Sequence, residues 1–212
     1  MRKQVWALLL VAGACPALLP AQSDETLHHH NFSAGIGPAI PQGSSGQYLS
    51  TAPLVSLRYG YRFNRYLQAD AGFQLAFGAA NNQNPLLTDV GTVQGGDREY
   101  MLPLGGRVIL PTPYKRMEFS LGGGGVYLHY SETAPSSAYY QVTCYSCTSR
   151  GGWGGYGLAN ASYFLDSNHN FRVGTTLQYI SVRTTGQAVG NIPASSTTDH
   201  WLNLTFDFGL SF

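Results

Sequence analysis

The chain has 212 residues, with 12 basic and 11 acidic side chains; only 11% of residues are charged, beside 26 Gly, 14 Tyr and 10 Phe. A water-soluble domain of this size carries about twice that charged fraction. The near balance of charge excludes a nucleic-acid surface built on surplus Lys and Arg, and nothing after residue 21 approaches the ~18 apolar residues of a transmembrane helix.

The first predicted element is an export signal over residues 1–21. Arg2 and Lys3 give the positive start, Val5–Leu19 the apolar stretch, and Leu19-Pro20-Ala21 a small-residue cleavage site before Gln22. Gly13 and Pro16 break the apolar stretch, which makes it a poor membrane anchor. A competing reading takes Ala12-Gly13-Ala14-Cys15 as a lipoprotein box. It lacks a large aliphatic residue at its start and would leave Leu18-Leu19 on the mature chain, so ordinary cleavage is preferred. A short periplasmic segment, 22–30, then leads into a single domain over 31–212. His28-His29-His30 in that segment can hold a transition metal weakly. With no acidic or Cys neighbours it reads as a solvated linker, and neither a metal nor a cofactor is expected.

Strands follow in chain order, each marked by a period of two. Phe32, Ala34 and Ile36 form a weak first strand. Val55, Leu57, Tyr59, Tyr61 and Phe63 share one face, with Ser56, Arg58, Gly60 and Arg62 between them. After the turn at Asn64-Arg65, Leu67, Ala69, Ala71, Phe73, Leu75 and Phe77 oppose Gln68, Asp70, Gly72 and Gln74. Tyr100, Leu102, Leu104, Val108 and Leu110 precede a turn at 111–116, and Met117, Phe119 and Leu121 follow it. Gly154–Leu165 is a strand whose facing Gly and Ala blur. Beyond the turn at 166–170, Phe171, Val173, Thr175, Leu177 and Tyr179 alternate with Arg172, Gly174, Thr176 and Gln178. The last strand is the clearest. Leu202, Leu204, Phe206, Phe208, Leu210 and Phe212 lie on one face; Trp201, Asn203, Thr205, Asp207, Gly209 and Ser211 lie on the other. Its length suits the ~9–11 residues with which a tilted strand crosses a bilayer.

Eight strands are thus expected, joined by short turns around 64–66, 111–116 and 166–170 and by long polar stretches at about 40–51, 78–98, 131–152 and 184–199. Short turns on one side and long loops on the other is the habit of outer-membrane barrels. The expected fold is all-β, an eight-stranded antiparallel up-and-down transmembrane barrel. A lipocalin-like barrel points its apolar face inward. Here the polar face carries Arg58, Asp70, Arg107, Glu118, Arg172 and Asp207, roughly balanced in sign, which suits a closed polar lumen. The opposite Tyr/Phe/Leu face would be a prohibitive patch in water.

The terminal Phe206-x-Phe208-x-Leu210-x-Phe212, the Tyr59-x-Tyr61-x-Phe63 hairpin and Pro103-Leu104-Gly105-Gly106-Arg107 resemble the small OmpA/OmpX-type outer-membrane barrel superfamily. The resemblance implies a Gram-negative outer-membrane address, lipid as the surrounding partner, and a C-terminal aromatic strand read by the barrel-assembly machinery. It is weak for activity, since that superfamily hosts adhesins, structural barrels and a few enzymes.

An eight-stranded barrel has room for little beyond its own side chains, so no open pore is expected. Cys144 and Cys147 lie in the third long loop, and an even Cys count in an oxidising compartment reads as a loop-stapling disulfide rather than a redox motif. His129 and Ser131, counted by twos from Phe119, fall on the outward face near the outer interface. This His-x-Ser resembles that of lipid A deacylase barrels, which would make His129 the base and Ser131 the nucleophile. Glu132 stands where that family has Asn, no third acid is assignable, and Gly122–Gly125 could hold a bulge that flips the facing. The preferred reading is a non-enzymatic barrel that is structural or binds surfaces through its extracellular loops. A lipid A deacylase-like hydrolase and a narrow porin-like channel are the alternatives.

Overall fold

The computed structural model describes residues 27–43, 45–47, 49–79, 86–88, 91–93, 96–133, 149–187 and 196–212. The expected leader with Cys15, and the Cys144–Cys147 pair, lie outside these residues. The elements in order are β1 (His30–Gln42), a 3₁₀ turn (Ser45–Gln47), β2 (Ala52–Arg62), β3 (Leu67–Phe77), β4 (Leu86–Thr88), β5 (Gly91–Val93), β6 (Gly96–Leu110), β7 (Met117–Thr133), β8 (Ser149–Phe164), β9 (Phe171–Gly186) and β10 (Ser196–Ser211).

Eight of the strands close into a barrel in the order β1-β10-β9-β8-β7-β6-β3-β2, while β4 and β5 form a separate hairpin. Every barrel strand pairs antiparallel with its chain neighbour, and β1 with β10 closes the ring. Closure extends to the last residue: the His30 amide donates to the Phe212 carbonyl at 2.9 Å, and the Phe212 amide donates back at 2.9 Å. The barrel sheet itself keeps no free edge among the described residues.

The turns at the end where the chain closes are set by single side chains. Asn64 Oδ1 accepts the amides of Tyr66 and Leu67 at 2.8 and 2.9 Å. The Asp166 carboxylate accepts those of Asn170 and Phe171 at 3.1 and 2.9 Å. Both use an Asx side chain as a substitute acceptor inside a tight turn. The register holds without a slip through the glycine run, from Arg107↔Gly122 to Leu104↔Gly125, so there is no bulge there. The facing that Gly and Ala hide in β8 is now fixed, with Tyr156, Leu158, Asn160, Ser162 and Phe164 inward.

The outer surface is a band of exposed apolar residues, including Ile36, Leu57, Phe73, Leu104, Leu121, Leu177 and Phe206. Water would penalise such a surface; hydrocarbon does not. The interior departs from expectation. The alternation predicts a polar lumen, yet an apolar cluster of Leu54, Met101, Val126, Leu128, Ile180, Val182 and Trp201 lies in its middle. Part of this inward apolar set (Leu128, Val182) lies in strand extensions beyond the clearly alternating segments, while Met101 and Trp201 interrupt the polar face inside segments already read as strands.

Candidate functional site

The lumen has three tiers. The lowest, nearest the paired chain end, holds all six sequence-predicted polar lumen residues. Arg58, Asp70, Arg107, Glu118 and Arg172 are buried and Asp207 is half-buried. Arg107 Nε donates to Asp70 Oδ2 at 2.6 Å, and Gln68 Nε2 donates to Asp70 Oδ1 at 2.7 Å. Glu118 accepts from Arg62 in a close ion pair and lies 3.5 Å from Arg172 Nη1. Asp207 accepts the hydroxyls of Thr176 and Thr205. Arg58 Nη1 donates to the Thr176 hydroxyl at 3.3 Å.

Inward glycines on neighbouring strands seat these side chains. A Cβ on Gly35 would lie 2.0 Å from Asp207 Oδ1, and one on Gly209 would lie 2.6 Å from Arg172 Nε. Gly35 stands opposite Asp207 in the ladder and Gly209 opposite Arg172, so each large polar group fills the space its partner leaves.

The middle tier is the apolar plug, crossed by a short amide chain. Gln74 Nε2 donates to Gln178 Oε1 at 2.6 Å, and Asn203 Nδ2 donates to Gln74 Oε1 at 3.2 Å. Trp201, Leu54, Met101, Leu128 and Ile180 are all less than 2% exposed. They pack together as one buried apolar cluster at this level of the lumen.

The upper tier is acidic, and the sequence reading misses it. Asp199 accepts Ser45 Oγ at 2.8 Å, Arg150 Nη2 at 3.2 Å and Thr184 Oγ1 at 2.5 Å. Asp97 Oδ2 accepts the Ala79 amide at 3.0 Å, and Glu99 is buried beside them. A signal does exist, since counting back by twos from Asp207 through Trp201 reaches Asp199. Assigning 78–98 and 184–199 to loops hides it.

On the outside, His129 and Ser131 face outward on β7, between the inward residues Leu128, Tyr130 and Glu132. The hydroxyl beside His129 Nε2 is that of Ser149, at 3.5 Å, and Ser149 stands opposite Ser131 in the ladder. Glu132 turns inward and accepts the Tyr130 hydroxyl at 2.6 Å. His129 belongs to a ring of aromatic and imidazole groups: it lies 6.4 Å from Tyr100, while Tyr127–Trp153 and Tyr179–His200 meet at 5.1 and 6.0 Å. Such belts sit at membrane headgroup level.

The histidine run at the other end is tied into the structure. His28 Nε2 meets the Asn168 carbonyl at 2.8 Å, His29 Nδ1 the Arg62 carbonyl at 2.8 Å, and His30 Nδ1 the Tyr59 hydroxyl at 2.7 Å. The His30 ring stacks on Phe212 at 5.6 Å. These exposed contacts tie the histidine run to the barrel end. Among the described residues no group of three or more His, Cys, Asp or Glu could hold a metal ion.

The closed ring of eight antiparallel strands with an apolar exterior defines the class: this is the fold of the small eight-stranded outer-membrane barrels. Neisserial surface protein A matches 86% of this chain and 97% of its own at a TM-score of 0.60 and 14% identity. The outer membrane protein OprG of Pseudomonas aeruginosa matches 87% of this chain and 97% of its own, at 0.54 and 12%. A major outer membrane protein of Thermus thermophilus matches 87% and 100%, at 0.53 and 14%. At such identities the likeness is one of fold. No family model matches the chain, and no curated protein matches it in sequence.

Proposed function

We propose that the chain is exported through a cleaved signal over 1–21 and serves as a non-enzymatic outer-membrane barrel. It acts through the loops at the end away from Phe212, in a structural or surface-binding role. The observation that supports this reading is the plug: Trp201, Met101, Leu128 and Ile180 are fully buried inside the lumen, which argues against transport and in favour of action at the loop end. The aromatic strand Phe206, Phe208, Leu210 and Phe212 is the segment offered to the assembly machinery.

The reading is tested in two arms. In planar bilayers the refolded protein is expected to give no discrete conductance steps; steady steps would refute the plug. In cells, replacing residues 134–148 and 188–195 by short turns is expected to leave barrel yield intact and reduce attachment to protein-coated surfaces. Unchanged attachment would remove the binding role. A hydrolase would have to work through the His129–Ser149 pair as well as His129–Ser131. Lipid A acylation is therefore expected to be the same in cells carrying the unaltered protein, Ser131→Ala or Ser149→Ala; a difference would favour the hydrolase.

A further inference from the structure

Charge is divided unevenly between the two faces of the barrel wall. Every carboxylate on the eight barrel strands points inward, and so do Arg58, Arg62, Arg107, Arg150 and Arg172. The charged side chains that point outward from these strands are Arg98 on β6 and Arg183 on β9, both exposed. Arg183 Nε donates to Ser196 Oγ at 3.4 Å. Among the described residues neither arginine has a carboxylate within ion-pair distance. Arginine keeps its proton at any ordinary pH, so two permanent positive charges stand on the outer wall with no anion in the protein to meet them.

The register fixes the depth of these charges. A walk from rung to rung that starts at Asn31 and passes Asp70, Gly124 and Ile180 returns to β1 at Pro41. The ring therefore climbs toward the loop end by a little more than one residue at each strand. Arg183 shares its rung with Trp153, Tyr127 and Leu102. The steps from β6 to β9 lift it by almost as much as the rise from Leu102 to Arg98 along β6. Arg98 and Arg183 thus stand at one level, with roughly 20 Å of wall between them at ~3.3 Å per residue and ~4.8 Å per strand.

By the same count His129 and Trp153 lie on the arc between the two arginines, slightly lower, and Tyr100 lies just below Arg98. These are members of the aromatic ring that marks membrane headgroup level. The other outward residues near that level, Gln42, Phe77 and His200, carry no permanent charge. A guanidinium placed lower would face hydrocarbon, and one placed higher would face water. At this level its neighbours in the bilayer are phosphates, whose oxygens a guanidinium can engage two at a time.

We propose that the outer arc from Arg98 to Arg183 is a binding surface for phosphate-bearing lipid headgroups in the leaflet at the loop end. Arg98 and Arg183 each hold a phosphate, and His129 and Trp153 pack against the headgroups between them. The inference rests on the outer-membrane reading and adds to it a preferred class of lipid. The bound headgroups set the height at which the barrel rides in the membrane.

Trp153 is 71% exposed and stands opposite Arg183 in the ladder, while Trp201 is buried in the lumen, so Trp153 reports on lipid at this place. The test uses the full mature chain refolded into phosphatidylcholine vesicles that contain a small fraction of dibrominated lipid, which quenches an adjoining indole. Dibrominated phosphatidic acid is expected to quench Trp153 with an apparent affinity about five-fold above that of dibrominated phosphatidylcholine. The preference is expected to shrink in about 1 M salt. Arg183→Gln is expected to abolish it, and Lys115→Gln, in an exposed turn at the opposite end, to leave it intact. Phe77 faces Arg98 in the ladder, so Phe77→Trp in a Trp153→Phe chain moves the reporter there. In that chain the same preference is expected, and Arg98→Gln is expected to abolish it. Equal quenching by the two lipids, or a preference that survives loss of the adjoining arginine, would overturn the headgroup site. Absence of quenching by either lipid would overturn the bilayer reading itself, and the site with it.

Discussion

At the scale of single residues, the lower lumen is held by charge that cannot reach solvent. The Arg107–Asp70 pair is 2–3% exposed on both sides, and Asp70 has both oxygens satisfied. Removing one partner of such a pair strands the other, which costs about 3–5 kcal/mol. Asp70→Asn is therefore expected to lower unfolding stability by that order in urea titrations of the refolded barrel; a loss below about 1 kcal/mol would show that water already solvates Arg107 there. Asp166 supplies a pH dependence. The amides of Phe171 and Asn170 stabilise its charged form and hold its carboxyl below the ordinary range. A depressed folded value means that the turn gains stability above the unfolded pKa, about 3.9, and loses it as pH falls through the folded value. Amide protection at Phe171 is expected to fade below about pH 4 in the unaltered chain. It is expected to be weak at every pH in Asp166→Ala.

At the scale of elements, legibility follows the chemistry of the alternation. β10 is readable through its whole lower part, because Leu and Phe alternate there with Asn, Thr and Asp. β8 is not, because Gly155, Gly157, Ala159 and Ala161 face out and carry too little side chain to declare a side. The upper ends of β6, β7 and β10 fall in stretches assigned to loops, and the inward apolar residues Leu54, Met101 and Leu128 sit between outward residues that are also apolar or aromatic, so no polar face marks them. Of the candidate sites, the lower charges are legible as a face, but their pairing is not. The contacts from Arg107 to Asp70 and from Arg58 to Thr176 depend on which strands adjoin and on the glycines that seat the side chains. His129 shows the same limit: the sequence offers Ser131 two residues away, and the ladder brings Ser149 beside it. The last strand yields the test at this scale. Phe208 packs 6.4 Å from Phe171 on the outer face, and Phe212 stacks on His30 at the closure. Replacing both by Asp puts charge toward lipid at the seam where the ring closes. The heat-modifiable folded band in outer-membrane fractions is expected to disappear; its persistence would contradict the role given to β10.

At the scale of the whole molecule, the lumen is polar below, apolar in the middle and acidic above, inside an exterior whose exposed side chains are largely apolar below the aromatic ring at His129. The account rests first on the exterior facing hydrocarbon and the interior not doing so, which site-directed spin labels on β10 measure most directly. Cysteine placed singly at Leu204, Phe206 or Phe208 and labelled in bilayers is expected to collide strongly with oxygen and weakly with a water-soluble nickel reagent. A label at Thr205 or Asn203 is expected to collide with neither. Equal access to the water-soluble reagent at 204, 205 and 206, or an inverted pattern, would contradict the account.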